Sequence, residues 1–336
     1  MEKDAAFWTP LQDAKVQCRL CSHHCSIGEG KTGICGVRKN RNGRLVSLIY
    51  GTCSSMTPDP IEKKPLYHFH PGTKAFSLGT IGCNFRCAHC QNYSISTADM
   101  SYPYLREISP EEAVEMAEHQ DCQGIAWTYN EPTIWHEFSF DCATLAKQHD
   151  LYTVYVTNGY IQKAPLRELS PVLDAMNVDV KAFTEEFYRD VCKARLQPVL
   201  QTCELAKHLG IHLELTYLVI PGLNDDEQEI QSFCKWIVDS LGEDTPVHFS
   251  RFHPDHRMMD VPMTPTRTLL SIYEMAKTCG LHYVYLGNMP SGDYEHTRCP
   301  SCGNLCIYRQ DFTVTVMGIQ NGSCTKCGKP LPIRMG

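Results

Sequence analysis

The sequence predicts an α/β protein, a partial (β/α)6 TIM-like barrel built on a parallel sheet, with Cys-rich N- and C-terminal extensions that bind metal. Three observations lead there. Short apolar runs alternate with longer amphipathic stretches through the middle of the chain, which is the pattern of successive βα units. Polar candidates recur just beyond those runs, at the strand C-terminal ends where a parallel barrel places its function. The nineteen cysteines concentrate at 18–35, 83–90 and 299–327. The expected division is a Cys-rich segment over 1–70, a barrel core over 71–290 and a ribbon-like segment over 291–336.

The strands expected are Lys74 to Gly79, Gln123 to Thr128, Tyr152 to Thr157, Ala175 to Val180, His212 to Val219 and Val247 to Phe252, with a short strand over 282–286 closing the unit. Helix signals lie between them. Ser109-Pro110-Glu111-Glu112 supplies an N-cap, a proline at the first helical position and a capping-box glutamate. A segment from about Thr184 to Leu209 reads as helix ended by Gly210, and Pro198 is expected to break or kink it. Another helix is expected near Thr266 to Cys279. On this layout Gly82-Cys83, Asn130-Glu131-Pro132, Asn158-Gly159, Asp179 with Lys181, Pro221-Gly222 and His253 fall on one rim, although loops are polar in any case.

Composition excludes several classes. No stretch approaches the roughly 18 apolar residues of a membrane span, and MEKDAAFWTPLQDAK lacks a secretory pattern, so a cytoplasmic protein without a membrane partner is expected. A net charge of −7 with mixed signs leaves no basic stripe for a nucleic acid. In a chain of 336 residues with no export signal, many cysteines point to metal or redox chemistry rather than to disulfides.

Cys83-x3-Cys87-x2-Cys90 puts three thiolates on one loop. They suit three irons of a cubane cluster and leave the fourth iron to an external ligand, since such clusters are usually held by four cysteines. A zinc site borrowing a fourth cysteine is the alternative. At the C-terminus Cys299, Cys302, Cys324 and Cys327 form two CxxCG knuckles, which suit structural zinc or iron in a rubredoxin-like site. Cys18, Cys21, Cys25 and Cys35, with His23 and His24 nearby, offer a further four-ligand set for zinc or a second cluster. Cys122, Cys142, Cys192, Cys203, Cys234 and Cys279 read as buried thiols, and Cys306 as an ordinary small residue.

The CNFRCAHC loop after the first barrel strand resembles the signature of the radical S-adenosylmethionine (SAM) superfamily. The resemblance implies a barrel of the radical SAM type, a [4Fe-4S] cluster, SAM chelated at the open iron, and a reductant such as flavodoxin or ferredoxin. It implies reductive cleavage of SAM to a 5′-deoxyadenosyl radical that takes hydrogen from substrate. His89 stands where an aromatic residue commonly lies near the adenine, and could equally be a solvated loop residue. Other segments resemble the branch containing pyruvate formate-lyase activating enzymes. Thr128-Tyr129-Asn130-Glu131-Pro132 stands where that branch has Gly-Gly-Glu-Pro, so Glu131 is expected on the methionyl ammonium. The replaced glycines imply a different local backbone. Thr157-Asn158-Gly159 matches a Thr-Asn-Gly segment, with Val156 in place of an aspartate. Asp179 and Lys181 match Asp-x-Lys, where the lysine reaches the methionyl carboxylate, and His253 matches a histidine near the adenosine or is a surface residue.

Taken with KPLYHFHPGT, TYNEPTIW, LVIPGLND, LGNMP and EHTRCPSCGNLC, the chain resembles over nearly its full length the radical SAM component of the AmmeMemoRadiSam system, with Memo-like and AMMECR-like partners. The resemblance implies hydrogen abstraction from a protein or peptide, as in glycyl radical activation, or radical modification of a small metabolite. A non-catalytic iron-sulfur or zinc protein is the third reading, and the Glu131, Asn158 and Lys181 rim argues against it.

Overall fold

The computed structural model describes residues 2–289 and 292–336. The expected boundary at 290–291 and the last residue of LGNMP lie outside the described residues. The centre is one eight-stranded sheet. In chain order its strands are β1 (Ser55–Pro60), β2 (Lys74–Gly79), β3 (Gly124–Trp127), β4 (Tyr152–Thr157), β5 (Ala175–Asp179), β6 (His212–Val219), β7 (Val247–Arg251) and β8 (Val284–Gly287). Strands β2 to β8 pair in parallel, each beside its predecessor, and β1 pairs antiparallel with β2 at the edge. Because every crossover steps in the same direction, the helices gather on one face and the sheet curls toward a barrel.

Six helices carry the crossovers: α1 (Pro110–His119), α2 (His136–Gln148), α3 (Lys163–Leu169), α4 (Leu196–His208), α5 (Glu227–Trp236) and α6 (Thr266–Thr278). The capping box at Ser109 forms as read, with Glu112 closing it. The strand period of two then sorts the side chains. Phe76, Leu78, Ile125 and Trp127 join the helices in the main core, whereas Ala75, Ala126, Val154 and Ala175 join Ile61, Leu66 and Phe69 in a second cluster.

Two expectations change. The segment from Thr184 is broken ahead of Pro198, not by it. Glu185–Phe187 and a wide turn over Tyr188–Cys192 end at Lys193 in the left-handed region, and α4 then starts at Leu196 with Pro198 inside its first turn, where no intrahelical N–H is lost. The sheet also has an antiparallel strand, β1, that was not foreseen. Pro58 and Pro60 argue against a strand, but an edge tolerates them.

The C-terminal segment docks on the barrel through one buried arginine and one exposed arginine. Arg309, 2% exposed, donates to Tyr67 O (2.6 Å) and Thr297 Oγ1 (2.8 Å), and Arg334 donates to Gly210 O (2.8 Å). Inside, the fully buried Glu214 accepts from Tyr67 N (3.0 Å) and His68 N (2.7 Å) and meets His212 Nε2 (3.0 Å) and His248 Nε2 (2.7 Å). His68 lies 2.6 Å from Tyr285 OH, and burial draws its pKa down to about 3. The unfolded chain binds a proton at His68 below about pH 6.5 and the folded one does not, so stability is lost as pH falls from there toward 3. The melting temperature is expected to fall steadily between pH 7 and 5, with about 2 kcal/mol from His68 by pH 5; a flat profile would contradict its neutral burial. No helix among the described residues is long and apolar enough to cross a membrane.

Candidate functional site

The loop after β2 carries Cys83, Cys87 and Cys90 to the wall of a cavity of about 510 Å³, within the usual range of small-molecule sites. Gly82 enters that loop at φ 82°, and a side chain there would meet Cys35 O at 2.6 Å and Val37 Cγ1 at 2.9 Å. Only glycine fits. The loop is held from three sides. Asn130 Oδ1 accepts from Thr80 N (3.1 Å) and its amide donates to Gly82 O (2.9 Å). Asn158 Nδ2 donates to Asn84 Oδ1 (2.8 Å) and lies 3.9 Å from Cys83 Sγ. Arg86 N donates to Cys192 O (3.0 Å) and Ala88 N to Val191 O (3.1 Å).

Glu131, Asn158, Asp179, Lys181 and His89 line the same cavity. The Glu131 carboxylate accepts from Thr133 N (2.9 Å), Thr157 Oγ1 (2.7 Å) and Asn158 N (2.8 Å). Of its roughly four acceptor positions one remains. Burial raises its pKa against those hydrogen bonds. Lys181 Nζ donates to Asp179 Oδ2 (2.7 Å); burial works against the ammonium, but Asp179 keeps its pKa above the usual value. His89 is buried, its pKa is drawn down to about 3 by burial and by Lys181, and its Nδ1 has no hydrogen-bond partner. An orphaned ring nitrogen, a free acceptor position on a carboxylate and three thiols on one wall fit a polar ligand beside a metal–sulfur group.

The other expected residues fall as follows. His253 is exposed and outside the cavity wall, 3.0 Å from Gln91 Nε2. The side chains of Asn130 and Asn158 are spent on the protein, so both shape the loop. Cys192, read as a buried thiol, is fully buried and hydrogen-bonds Cys87, which raises the Cys87 pKa well above its usual value, with burial adding to the effect. It lies outside the cavity wall, so the open side of the three-thiol set carries no fourth cysteine among the described residues.

Sequence reading missed one wall of the cavity. Tyr129 sits at φ 73°, so the backbone keeps a glycine-like conformation where the resemblance suggested a change. A bulky residue there costs about 1–3 kcal/mol. Its ring lies against Gly79 and its hydroxyl donates to Asp59 Oδ2 (2.5 Å), which also accepts from Lys64 (2.6 Å), while Lys63 reaches Asp59 Oδ1 (2.8 Å). Lys63, Lys64 and Phe312 complete that wall. Only the substituted glycine segment hinted at it.

At the C-terminus the sulfurs of Cys299, Cys302, Cys324 and Cys327 lie within 4.8 Å of one another. Cys299–Cys327 at 3.5 Å and Cys302–Cys324 at 3.7 Å approach the edge of about 3.8 Å that a tetrahedron with 2.3 Å metal–sulfur bonds requires. The set can hold a metal ion. Cys18, Cys21, Cys25 and Cys35 instead surround a narrow pocket with His23 and Asn84, and do not meet that spacing.

The radical SAM superfamily model matches residues 77–234. "Uncharacterized protein MJ0808" of Methanocaldococcus jannaschii is 46% identical over 333 residues, covering 98% of this chain and 99% of its own. "Putative glycyl-radical enzyme activating enzyme MJ1632" of the same organism is 26% identical over 165 residues, 48% of this chain and 62% of its own. Among solved structures, SuiB of Streptococcus suis bound to precursor peptide SuiA superposes with a TM-score of 0.51 at 9% identity, over 68% of this chain and 51% of SuiB, a likeness of fold. The matched span runs from β2 into α5 and takes in the three-cysteine loop, so the chain belongs to the radical SAM superfamily.

Proposed function

We propose that Cys83, Cys87 and Cys90 hold the superfamily's [4Fe-4S] cluster and that SAM occupies the cavity beside it. The cluster and SAM together supply a one-electron cleavage that yields methionine and a 5′-deoxyadenosyl radical. The observation that carries this reading is the set of three thiols on one loop facing a 510 Å³ cavity whose wall also bears Glu131, Asp179, Lys181 and His89. The remaining acceptor position of Glu131 suits the methionyl ammonium, and Lys181 suits the methionyl carboxylate. His89, neutral at working pH, offers its unpartnered Nδ1 to the adenosine. Asn130 and Asn158 act by fixing the loop. His253 lies just outside the cavity wall, 3.0 Å from the wall residue Gln91.

The reaction favoured is hydrogen abstraction from a protein or peptide, supported by the similarity to a glycyl-radical activating enzyme homologue. Modification of a small metabolite is the second reading, supported by a cavity large enough for SAM and a further small molecule. Reduction by a flavodoxin or ferredoxin, membership of the AmmeMemoRadiSam system, and zinc at the C-terminal cysteines belong to the same proposal, as do a metal at the N-terminal four and a cytoplasmic setting. The test incubates anaerobic, reduced protein with deuterated candidate substrates: label in 5′-deoxyadenosine is expected, and deoxyadenosine that never forms would contradict the reading. Glu131→Gln, which removes the charge and keeps the shape, is expected to weaken SAM binding by tenfold or more with iron content retained, measured by equilibrium dialysis. Unchanged affinity would remove Glu131 from the site.

A further inference from the structure

The cavity has two chemically distinct ends. At the cysteine end, Lys181 is neutralised by Asp179. At the other, Asp59 is the one carboxylate among the described residues that bonds Lys63 and Lys64, and it cannot neutralise both. Burial and hydrogen bonds act in opposition on Asp59, and those from Lys63, Lys64 and Tyr129 prevail, holding it ionised far below the usual carboxylate range. One positive charge is left over. Buried Lys64 is paired with Asp59 at 2.6 Å, and burial draws its pKa down to about 8, so the surplus charge sits on Lys63, whose half-exposed side chain is open to an anion from the cavity.

The position of this cluster separates it from the cysteines. The backbone of Asp59 pairs with Ala75, at the far end of β2 from Gly79, and its carboxylate meets the hydroxyl end of Tyr129, whose ring lies against Gly79, so the length of one tyrosine side chain separates the cluster from the end of β2 that leads into the cysteine loop. Two aromatic residues frame it. Tyr129 lies under the Lys64 ammonium, 4.7 Å from nitrogen to ring centre, and Phe312 forms the turn between the antiparallel strands Leu305–Gln310 and Thr313–Val316 at φ 65°. Phe312 is 56% exposed, and it and Asp311 take positive φ as the two central residues of a tight hairpin turn, which holds the ring at the mouth of the cavity.

We propose that Lys63, Lys64, Tyr129 and Phe312 form a substrate-recognition site, and that the substrate brings an oxyanion, carboxylate or phosphate, to the two lysines. This rests on the radical SAM reading of the cavity, and it names the chemistry of the molecule that meets the radical. The oxyanion completes the charge balance around Asp59, and the rings of Tyr129 and Phe312 flank the group behind it. A peptide carboxylate and an acidic metabolite meet this requirement equally.

The test titrates cluster- and SAM-loaded protein anaerobically by calorimetry with inorganic phosphate and, separately, with malonate. One saturable event per chain with at least one of these probes is expected. Binding is expected to weaken at least tenfold in Lys63→Glu, whose side chain is half-exposed and whose fold is checked by its unchanged melting temperature, and in Lys64→Met. Absence of saturable binding to the wild-type protein, or unchanged affinity in Lys63→Glu, overturns the proposal. Deoxyadenosine formation by the same wild-type preparation reports on the parent reading independently: its presence with no anion binding rejects the recognition site alone, and its absence rejects the parent reading.

Discussion

Cys87→Ala is expected to abolish 5′-deoxyadenosine formation, a loss of at least about 10³-fold, while the protein stays folded. The loop holding Cys87 is fixed by backbone hydrogen bonds to Val191 and Cys192 and by the Asn130 and Asn158 side chains, none of which uses the Cys87 sulfur. Removing the thiol therefore takes away one proposed cluster ligand without freeing the loop. The paired control is Cys192→Ala. If the cluster needs Cys83, Cys87 and Cys90 and no more, this variant retains iron and sulfide, because Cys192 lies behind Cys87 and outside the cavity wall. Product formation by Cys87→Ala, or loss of the cluster in Cys192→Ala, would show a different ligand set.

Cys302→Ser is expected to have the second large effect, on stability. A four-thiolate ion contributes its binding free energy to folding, and a serine hydroxyl is a far weaker ligand. The small core around it, Cys299, Cys306, Ile307, Cys324, Leu331 and Ile333, is too slight to hold three short strands unaided. A stability loss on the order of 3 kcal/mol or more is expected, seen in calorimetry as early melting of the C-terminal segment with loss of one bound metal per chain. Because Arg309 and Phe312 belong to this segment, its melting also opens the lysine end of the cavity. A stable Cys302→Ser protein with full metal content would contradict a structural ion.

How much of this was legible in the sequence follows from how local each signal is. The parallel strands were readable because each is a buried apolar run bounded by turns, and α1 because its capping box is complete within four residues. The three-cysteine loop was readable for the same reason. Strand β1 was not, since its prolines are acceptable only at an edge, and whether a strand is at an edge is a property of the whole sheet. Lys193 ends a helix that composition alone would have ended at Pro198, because a left-handed residue leaves little trace in sequence unless it is glycine. The Glu214 network, the thiol of Cys192 beside Cys87 and the Asp59–Lys64–Tyr129 cluster join residues 70 to 147 positions apart at their widest separations. Such contacts exist only once the barrel has closed around them. Tyr129 is the exception, since the family segment it interrupts marked the position and only its direction was hidden.

The most direct measurement is electron paramagnetic resonance of the anaerobic, reduced protein, recorded before and after adding SAM. The account predicts a [4Fe-4S] signal that changes when SAM is added, as one iron accepts a ligand no side chain provides. A cubane whose spectrum ignores SAM, or protein that holds tetrahedral metal and no cubane, would contradict it.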